Sequence, residues 1–319
     1  MDFVENLKSP AEVPTPNPPL LLVFTRDYTN NQMGLQLPKV EYCILTVPEP
    51  HVLLVTINRP KQFNALNLEA NQELGRVFDW AEDNEEIWCS VITGTGGKAF
   101  CAGMDLKSAN KAQQSSSPGQ GNSLSGGEMP QSGFGGLSKR NQARKPVIAA
   151  VNGFALGGGT EIVLACDIVV ATQNSTFGLP EVKRGVIAAM GGIARVVRII
   201  GYQRACEMAL TGRHLSAEEA KDFGFVNEVL PKGEDVVAAA LKWAKQITSN
   251  SPDAVFLTKR GLLLALERDS LTKAAGELME TEEAGIWSSG DNLKEGLQAF
   301  VEKRTPNWTN PRPIGKSKL

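Results

Sequence analysis

The stretch VIAAVNGFALGGGTEIVLACDIVVAT (147–172) decides the fold. It opens on one apolar run, VIAAV (147–151), and closes on another, DIVVAT (167–172), with a glycine-rich turn and a short helical run, EIVLAC (161–166), between them. Both ends read as strands, and the pattern strand, turn, short helix, strand belongs to a parallel sheet. Upstream, VLLVTI (52–57) and IWCSVIT (87–93) flank a segment, 66–83, with apolar residues at Leu66, Leu74, Val77, Phe78 and Trp80, so strand–helix–strand recurs. Strands alternating with helices imply an α/β fold whose sheet is covered on both faces. From residue 234 onward the pattern predicts helices only, over 234–248, 252–268, 271–287 and 291–304. In the last of these, Leu293, Leu297, Phe300 and Val301 make one apolar stripe, which must cover either the chain's own core or a neighbouring subunit.

Around this core the composition marks three stretches of another kind. Residues 1–38 hold six of the 18 prolines, residues 107–140 contain eight Ser, seven Gly and four Gln, and residues 305–319 form a Pro/Gly-containing tail. The expected organisation is a Pro-rich extension (1–38), an α/β core (39–233) with a flexible surface insertion (107–140), a helical region (234–304) and the tail (305–319). The longest apolar run of the extension, LLLVF (20–24), is too short for a signal-peptide core or a membrane span, and no membrane insertion is expected. Its acids Asp2, Glu5 and Glu12 argue against a mitochondrial presequence. The final Ser317-Lys318-Leu319 has the form of the peroxisomal import address, so a peroxisomal location and the import receptor as a partner are expected.

Charge and rare residues narrow the chemistry. With 33 basic against 35 acidic residues and no basic run, the 319-residue chain lacks an electrostatic footprint for nucleic acid. Five cysteines with no CxxC pair suggest neither a disulfide framework nor a zinc knuckle. Only two histidines occur, His51 opening an apolar run and His214 after a Thr-Gly-Arg turn, and both read as structural. Acid–base work near neutral pH then falls mainly to carboxylates, Lys or Tyr, and a carboxylate needs a site that tunes its pKa.

Three sharp turns stand where strands should end: NRPKQFNAL (58–66), FCAGMDL (100–106), and NGFALGGGTE (152–161) with FGLPE (177–181) behind it. Strand ends are where α/β folds place ligands. The run from Gly153 to Thr160 differs from a phosphate-binding loop at one position, but that position is the essential Lys, here Gly159, which excludes the loop. What glycines allow is exposed main-chain N–H groups: that of Gly158 at a helix start, where the first donors lack intrahelical partners, and that of Met104 after a turn through Ala102-Gly103. Two convergent N–H groups make an oxyanion hole. Glu161 follows Gly158 by three residues, on the same helix face. The helix then travels outward roughly 13 Å at 1.5 Å per residue and the strand 167–172 returns about 17–20 Å at 3.3 Å per residue. A turn through Phe177-Gly178-Leu179-Pro180 can therefore bring Glu181 alongside Glu161. Singly, each residue has a structural reading; two acids spaced to meet beside two free amides exceed what packing requires.

These motifs, NRP…NAL, FCAGMDL, ALGGGTE, FGLPE and EGLQAFVEKRTPNW (295–308), resemble the crotonase superfamily, and within it the enoyl-CoA hydratases and their isomerase relatives, from about residue 40 to about 308. The resemblance implies a crotonase (ClpP-like) spiral of ββα units with a C-terminal helical region that builds a homotrimer or homohexamer. It implies reversible hydration of a trans-2-enoyl-CoA, with no cofactor beyond the coenzyme A carried by the substrate. Carried over by motif, Met104 and Gly158 supply the oxyanion-hole amides, and Glu161 and Glu181 are the catalytic acids. Ala65, Ala102, Gly103, Asp105, Leu106, Gly157 and Ala189 complete the acyl-CoA site, with Arg59, Lys61 or Lys98 on the coenzyme A phosphates. Met104 stands where alanine is common and Ala189 where glycine is common, two substitutions that reshape the pocket. An isomerase on the same site and a non-catalytic acyl-CoA-binding protein are the alternatives; the presence of both acids favours a hydratase.

Overall fold

A computed structural model describes residues 35–108, 129–141 and 143–312. The N-terminal extension before residue 35, the middle of the expected insertion (109–128) and the terminal Ser317-Lys318-Leu319 lie outside the described residues.

Strands β1 (Cys43–Glu49), β2 (Val52–Ile57), β3 (Cys89–Gly94), β5 (Val147–Val151), β7 (Ile168–Thr172) and β10 (Glu228–Leu230) form one sheet in the order β1-β2-β3-β5-β7-β10. Only its β1–β2 pair is antiparallel. A second sheet runs β4 (Ala99–Cys101), β6 (Phe154–Leu156), β8 (Thr176–Gly178) and β9 (His214–Ser216). Each of β3, β5 and β7 is followed within a few residues by its partner in the second sheet, β4, β6 and β8, and both sheets keep the same neighbour order. The chain therefore climbs in a spiral of strand pairs, the crotonase architecture that the motifs implied.

The reason lies in the strand sequences. Every residue of β2, β3 and β5 is buried, and their side chains alternate between two cores. Leu53, Val55, Ile57, Ile92, Ala149 and Val151 face the larger core, which α1 (Leu68–Asp83) covers with Leu74, Val77 and Phe78. Val52, Leu54, Val91, Ile148 and Ala150 face the smaller core on the opposite side. A later helix, α6 (Val236–Thr248), closes that side with Val236, Ala239, Ala240 and Ala244. Between these lie α2 (Gly158–Ala165), α3 (Gly192–Ile200), α4 (Tyr202–Thr211) and α5 (Ala217–Phe223). Among the described residues no helix is long and apolar enough to cross a membrane.

Two expectations need correction. The segment 129–140, read as the end of a flexible insertion, is packed: Phe134, Leu137 and Ser138 are buried, Gly135 N–H donates to Asn71 Oδ1 at 2.7 Å, and Phe134 N–H donates to Ser138 Oγ at 2.7 Å. Its glycines are there for close approach, since a Cβ on Gly136 would meet the Gly75 backbone at 2.6 Å. The helix expected over 271–287 is two helices, α8 (Leu271–Met279) and α9 (Glu282–Ser289), because Thr281 turns its side chain back to accept the Ala284 N–H at 3.2 Å and caps a new start. They follow α7 (Pro252–Glu267) and precede α10 (Asp291–Glu302). On α10 the apolar stripe faces outward within the single chain: Leu297 is 63% exposed, Phe300 85% and Val301 79%.

Candidate active site

Parallel pairing of β4 with β6, Cys101 opposite Ala155, ends two neighbouring strands side by side. The turns that follow, Ala102-Gly103-Met104 and Gly157-Gly158, therefore emerge together. Gly103 (φ +92°) is pressed against the second turn: a Cβ there would lie 2.7 Å from the Leu156 carbonyl oxygen and 3.3 Å from the Gly158 nitrogen. Leu66 N–H donates to the Gly103 carbonyl and Asp105 N–H to the Leu66 carbonyl, both at 2.9 Å, so the flanking groups of the first turn are consumed in a bridge to residues 58–66. The Met104 N–H itself is left over. Gly158 is the first residue of α2, where no intrahelical acceptor exists for its N–H. Among the described residues neither amide has a hydrogen-bond partner. Beneath Gly158 lies the Phe134 ring, 2.5–2.7 Å from where a Cβ would stand, so only glycine fits this position.

The two acids lie near enough for the charge of Glu161 to act on Glu181. Thr160, fully buried, ties the start of α2 to β8: its Oγ1 lies 2.6 Å from the Ala155 carbonyl and 2.8 Å from the Gly178 carbonyl, and it accepts the Gly178 N–H at 3.1 Å. Gly157 N–H also donates to the Gly178 carbonyl at 2.9 Å. Three residues beyond Gly178, in the 3-10 turn Pro180–Arg184, Glu181 turns its carboxylate back, with Oε1 3.0 Å from where a Cβ on Gly157 would stand. Gly157 (φ +55°) must be glycine both for its backbone and for this contact.

Each acid is tuned by its surroundings. Glu161, 3% exposed in the first turn of α2, has its pKa raised by burial; the amides of Gly192 (2.8 Å to Oε1) and Met190 and the charges of Lys139 and Arg195 oppose that shift. Glu181 is pushed up to about 7, first by burial and then by the negative charge of Glu161, against the pull of its own backbone N–H. Among the described residues its Oε2 is buried without a hydrogen-bond partner. A buried carboxylate oxygen with an unused lone pair, near half-protonation at neutral pH, is equipped to accept a proton and return it.

The remaining expected residues surround this centre. Ala65 is buried beside the first turn, Ala102 N–H donates to the Phe63 carbonyl at 3.0 Å, and Leu106 is half exposed at the rim. Asp105 forms an ion pair with Arg59 at 3.2 Å. Burial alone would raise the Asp105 carboxyl, but the Ser108 amide and the Arg59 guanidinium outweigh it and hold it below the usual range. Arg59 also donates to the Ala65 carbonyl and lies over the Tyr42 ring, so it braces the turn and is not a free phosphate ligand. Lys61 and Lys98, by contrast, line a cavity of about 260 Å³ with Phe63, Asn64 and Thr95, next to Ala65. Ala189 is exposed, and its N–H is turned to the Ile187 carbonyl at 2.9 Å.

Several structural partners escaped sequence reasoning. Asn64 (φ +56°) braces the 58–66 turn through the Thr95 and Ala99 carbonyls at 3.0 and 2.7 Å, a role its place in NRPKQFNAL could have signalled. Phe134 and the amide holder Gly192 gave no such signal, the first lying in a low-complexity segment and the second acting through its backbone.

The family model for enoyl-CoA hydratase/isomerase matches residues 49–311. A mevalonyl-coenzyme A hydratase of Beauveria bassiana is 46% identical over 283 residues, covering 87% of this chain and 98% of that protein. A mevalonyl-coenzyme A hydratase of Aspergillus fumigatus is 43% identical, covering 85% and 96%. The crystal structure of an enoyl-CoA hydratase from Mycobacterium tuberculosis superimposes with a TM-score of 0.74 at 37% identity, over 84% of this chain and 99% of that one.

Proposed function

Because this chain belongs to the enoyl-CoA hydratase/isomerase family, we propose that it adds water reversibly across the 2,3-double bond of a trans-2-enoyl-CoA at the site built by Glu161, Glu181, Met104 and Gly158. The observation that carries this reading is a buried acid, Glu161, near enough to a half-buried one, Glu181, for its charge to act there, beside two amide donors without partners among the described residues. An isomerase needs one proton carrier; two juxtaposed acids suit the addition of H and OH to adjacent carbons.

The thioester oxygen accepts from the Met104 and Gly158 N–H groups, which hold the charge that develops as the enolate forms. Water attacks C3, its proton passes to Glu161, and the proton on Glu181 is delivered to C2. In the reverse direction each proton retraces its path. The pair must hold one proton in total at the start of either direction, so kcat/KM is bell-shaped in pH and the same both ways. Gly192 keeps one oxygen of Glu161 engaged and leaves the other for the water. The coenzyme A phosphates meet Lys61 and Lys98 at the cavity beside Ala65.

Two relatives named for mevalonyl-coenzyme A point to the acyl group. We infer that the substrate pair is mevalonyl-CoA and its 2,3-dehydrated form, a 3-methyl-branched acyl chain rather than a straight one. The outward stripe of Leu297, Phe300 and Val301 supports a homotrimer or homohexamer that would cover it, to be measured by light scattering. Import into peroxisomes through Ser317-Lys318-Leu319 is tested by a fluorescent protein fused ahead of residues 305–319, with and without the last three.

The deciding experiment follows the 2-enoyl chromophore with purified full-length protein and a panel of straight, 3-methyl-branched and 5-hydroxylated thioesters. The parent is expected to turn over the branched hydroxylated pair fastest, and Glu161→Gln and Glu181→Gln each to lose at least about 10²-fold. Loss confined to Glu181→Gln, with double-bond migration in place of hydration, would overturn the reading in favour of isomerisation. Thioester binding without chemistry in the parent would refute it outright.

A further inference from the structure

One half-buried cation beside the site, Arg195, has no part in the scheme above. Arg195, on the first turn of α3, donates through Nη1 to the Ser138 carbonyl and through Nη2 to Asn141 Oδ1 at 3.1 Å. This fork joins two segments that are otherwise far apart in sequence. On one side is the packed strap 133–141, whose Phe134 ring sits beneath the Gly158 amide and whose Ser138 Oγ holds the Phe134 N–H. On the other is the Gly191-Gly192 turn, whose Gly192 N–H holds Glu161 Oε1 at 2.8 Å. Space confirms how closely they meet: a Cβ on Gly191 (φ +109°) would strike both the Ser138 carbonyl and the Arg195 guanidinium, and one on Gly192 would lie 2.9 Å from Glu161 Oε1.

We propose that Arg195 is a positioning residue for the hydration: its guanidinium clamps the strap onto the Gly191-Gly192 turn, fixing the amide that orients Glu161 and placing a permanent positive charge beside that carboxylate. The clamp has two consequences. Through Gly192 it fixes where the Glu161 oxygen points, and through Ser138 and Phe134 it fixes the floor under the oxyanion donor Gly158. One side chain thus registers the base against the oxyanion hole without touching substrate. The charge matters separately. Glu161 faces Lys139 from the strap, Arg195 from α3 and Glu181 from the 180–184 turn; Arg195 is the cation among them that is anchored by side-chain hydrogen bonds, both of them to the strap. Lys139 is exposed and makes no side-chain hydrogen bond among the described residues.

The test separates clamp from charge with Arg195→Lys, which keeps the charge and loses the fork, and Arg195→Gln, which keeps one donor for Ser138 and loses the charge. In the full-length protein the ionisation of Glu161 is followed by its carboxylate infrared band, identified by its disappearance in Glu161→Gln. This arm needs no substrate and stands even if the hydratase reading, on which the kinetic arm rests, is wrong. Arg195→Gln is expected to move the Glu161 titration to higher pH, because a carboxylate deprived of a neighbouring cation ionises less readily, while Arg195→Lys leaves it in place. In the kinetic arm both variants are expected to lose roughly 10- to 100-fold in kcat, as small displacements of a reacting group do, with KM within about 2-fold. The acid limb of the pH profile should rise in Arg195→Gln alone. An unmoved Glu161 band in Arg195→Gln, or a loss expressed in KM with kcat preserved, overturns the proposal. Should Arg195→Gln fail to fold, Arg195→Lys decides through its split between kcat and KM.

Discussion

Replacing Glu181 by Gln is expected to stabilise the protein at pH 8 while abolishing its activity. In the folded chain this carboxyl titrates near 7, against 4.5 when free, because burial and the charge of Glu161 disfavour its ionised form and its Oε2 has no partner. The sign follows directly. Below the free value both states are protonated and the group costs nothing. Between the two values the folded state holds the proton that the unfolded state releases, so stability falls as pH rises, and above the folded value the cost is complete. The gap corresponds to about 3 kcal/mol at ~1.4 kcal/mol per unit, and partial solvent access reduces the measurable part to about 1–2 kcal/mol. Glutamine keeps the shape and carries no charge at any pH. Urea unfolding at pH 8 should show the variant more stable by that amount, with most of the advantage gone at pH 5, at matched protein concentration and with unchanged m-values. An advantage independent of pH, or a variant less stable at pH 8, would refute the claim that Glu181 is a strained, desolvated acid.

Further outcomes follow from the same geometry. Gly158→Ala forces a methyl into the Phe134 ring, so kcat is expected to fall by about 10²-fold or more, the usual cost of disturbing one oxyanion donor, with far-ultraviolet dichroism unchanged. Thr160→Val leaves the Gly178 and Ala155 groups without their hydroxyl partner and should cost about 1–3 kcal/mol in stability, together with kcat, since Glu161 and Glu181 lose their registration; Thr160→Ser should restore most of both. Lys61→Ala and Lys98→Ala are expected to raise KM for coenzyme A thioesters several-fold in low salt while leaving thioesters of the phosphate-poor pantetheine arm unaffected, which steady-state kinetics with both carriers would measure.

Much of this was legible in the chain because it depends on short-range rules. The strands announced themselves through buried runs such as VLLVTI and VIAAV. The nearness of Glu161 to Glu181 was expected from adding the reach of a short helix to that of the strand returning after it. What stayed hidden depends on long-range packing. The strap 133–141 reads as low-complexity linker because its glycines, which permit contact with Gly75 and Ile162, look the same in sequence as glycines that permit disorder. Arg59 reads as a free cation until Asp105, forty-six residues away, is seen to hold it. The break at Thr281 was written in the sequence as a cap, Thr followed by two acids, but the apolar pattern ran across it. The spiral came from resemblance, and periodicity alone would not have given it.

The most direct measurement is a crystal structure of the full-length protein with a saturated or 3-keto acyl-CoA that cannot react. The thioester oxygen is expected within about 2.7–3.1 Å of both the Met104 and Gly158 nitrogens, with C2 and C3 lying between the carboxylates of Glu161 and Glu181. A carbonyl turned away from either amide, or an acyl chain that leaves the two acids facing solvent, would contradict the account.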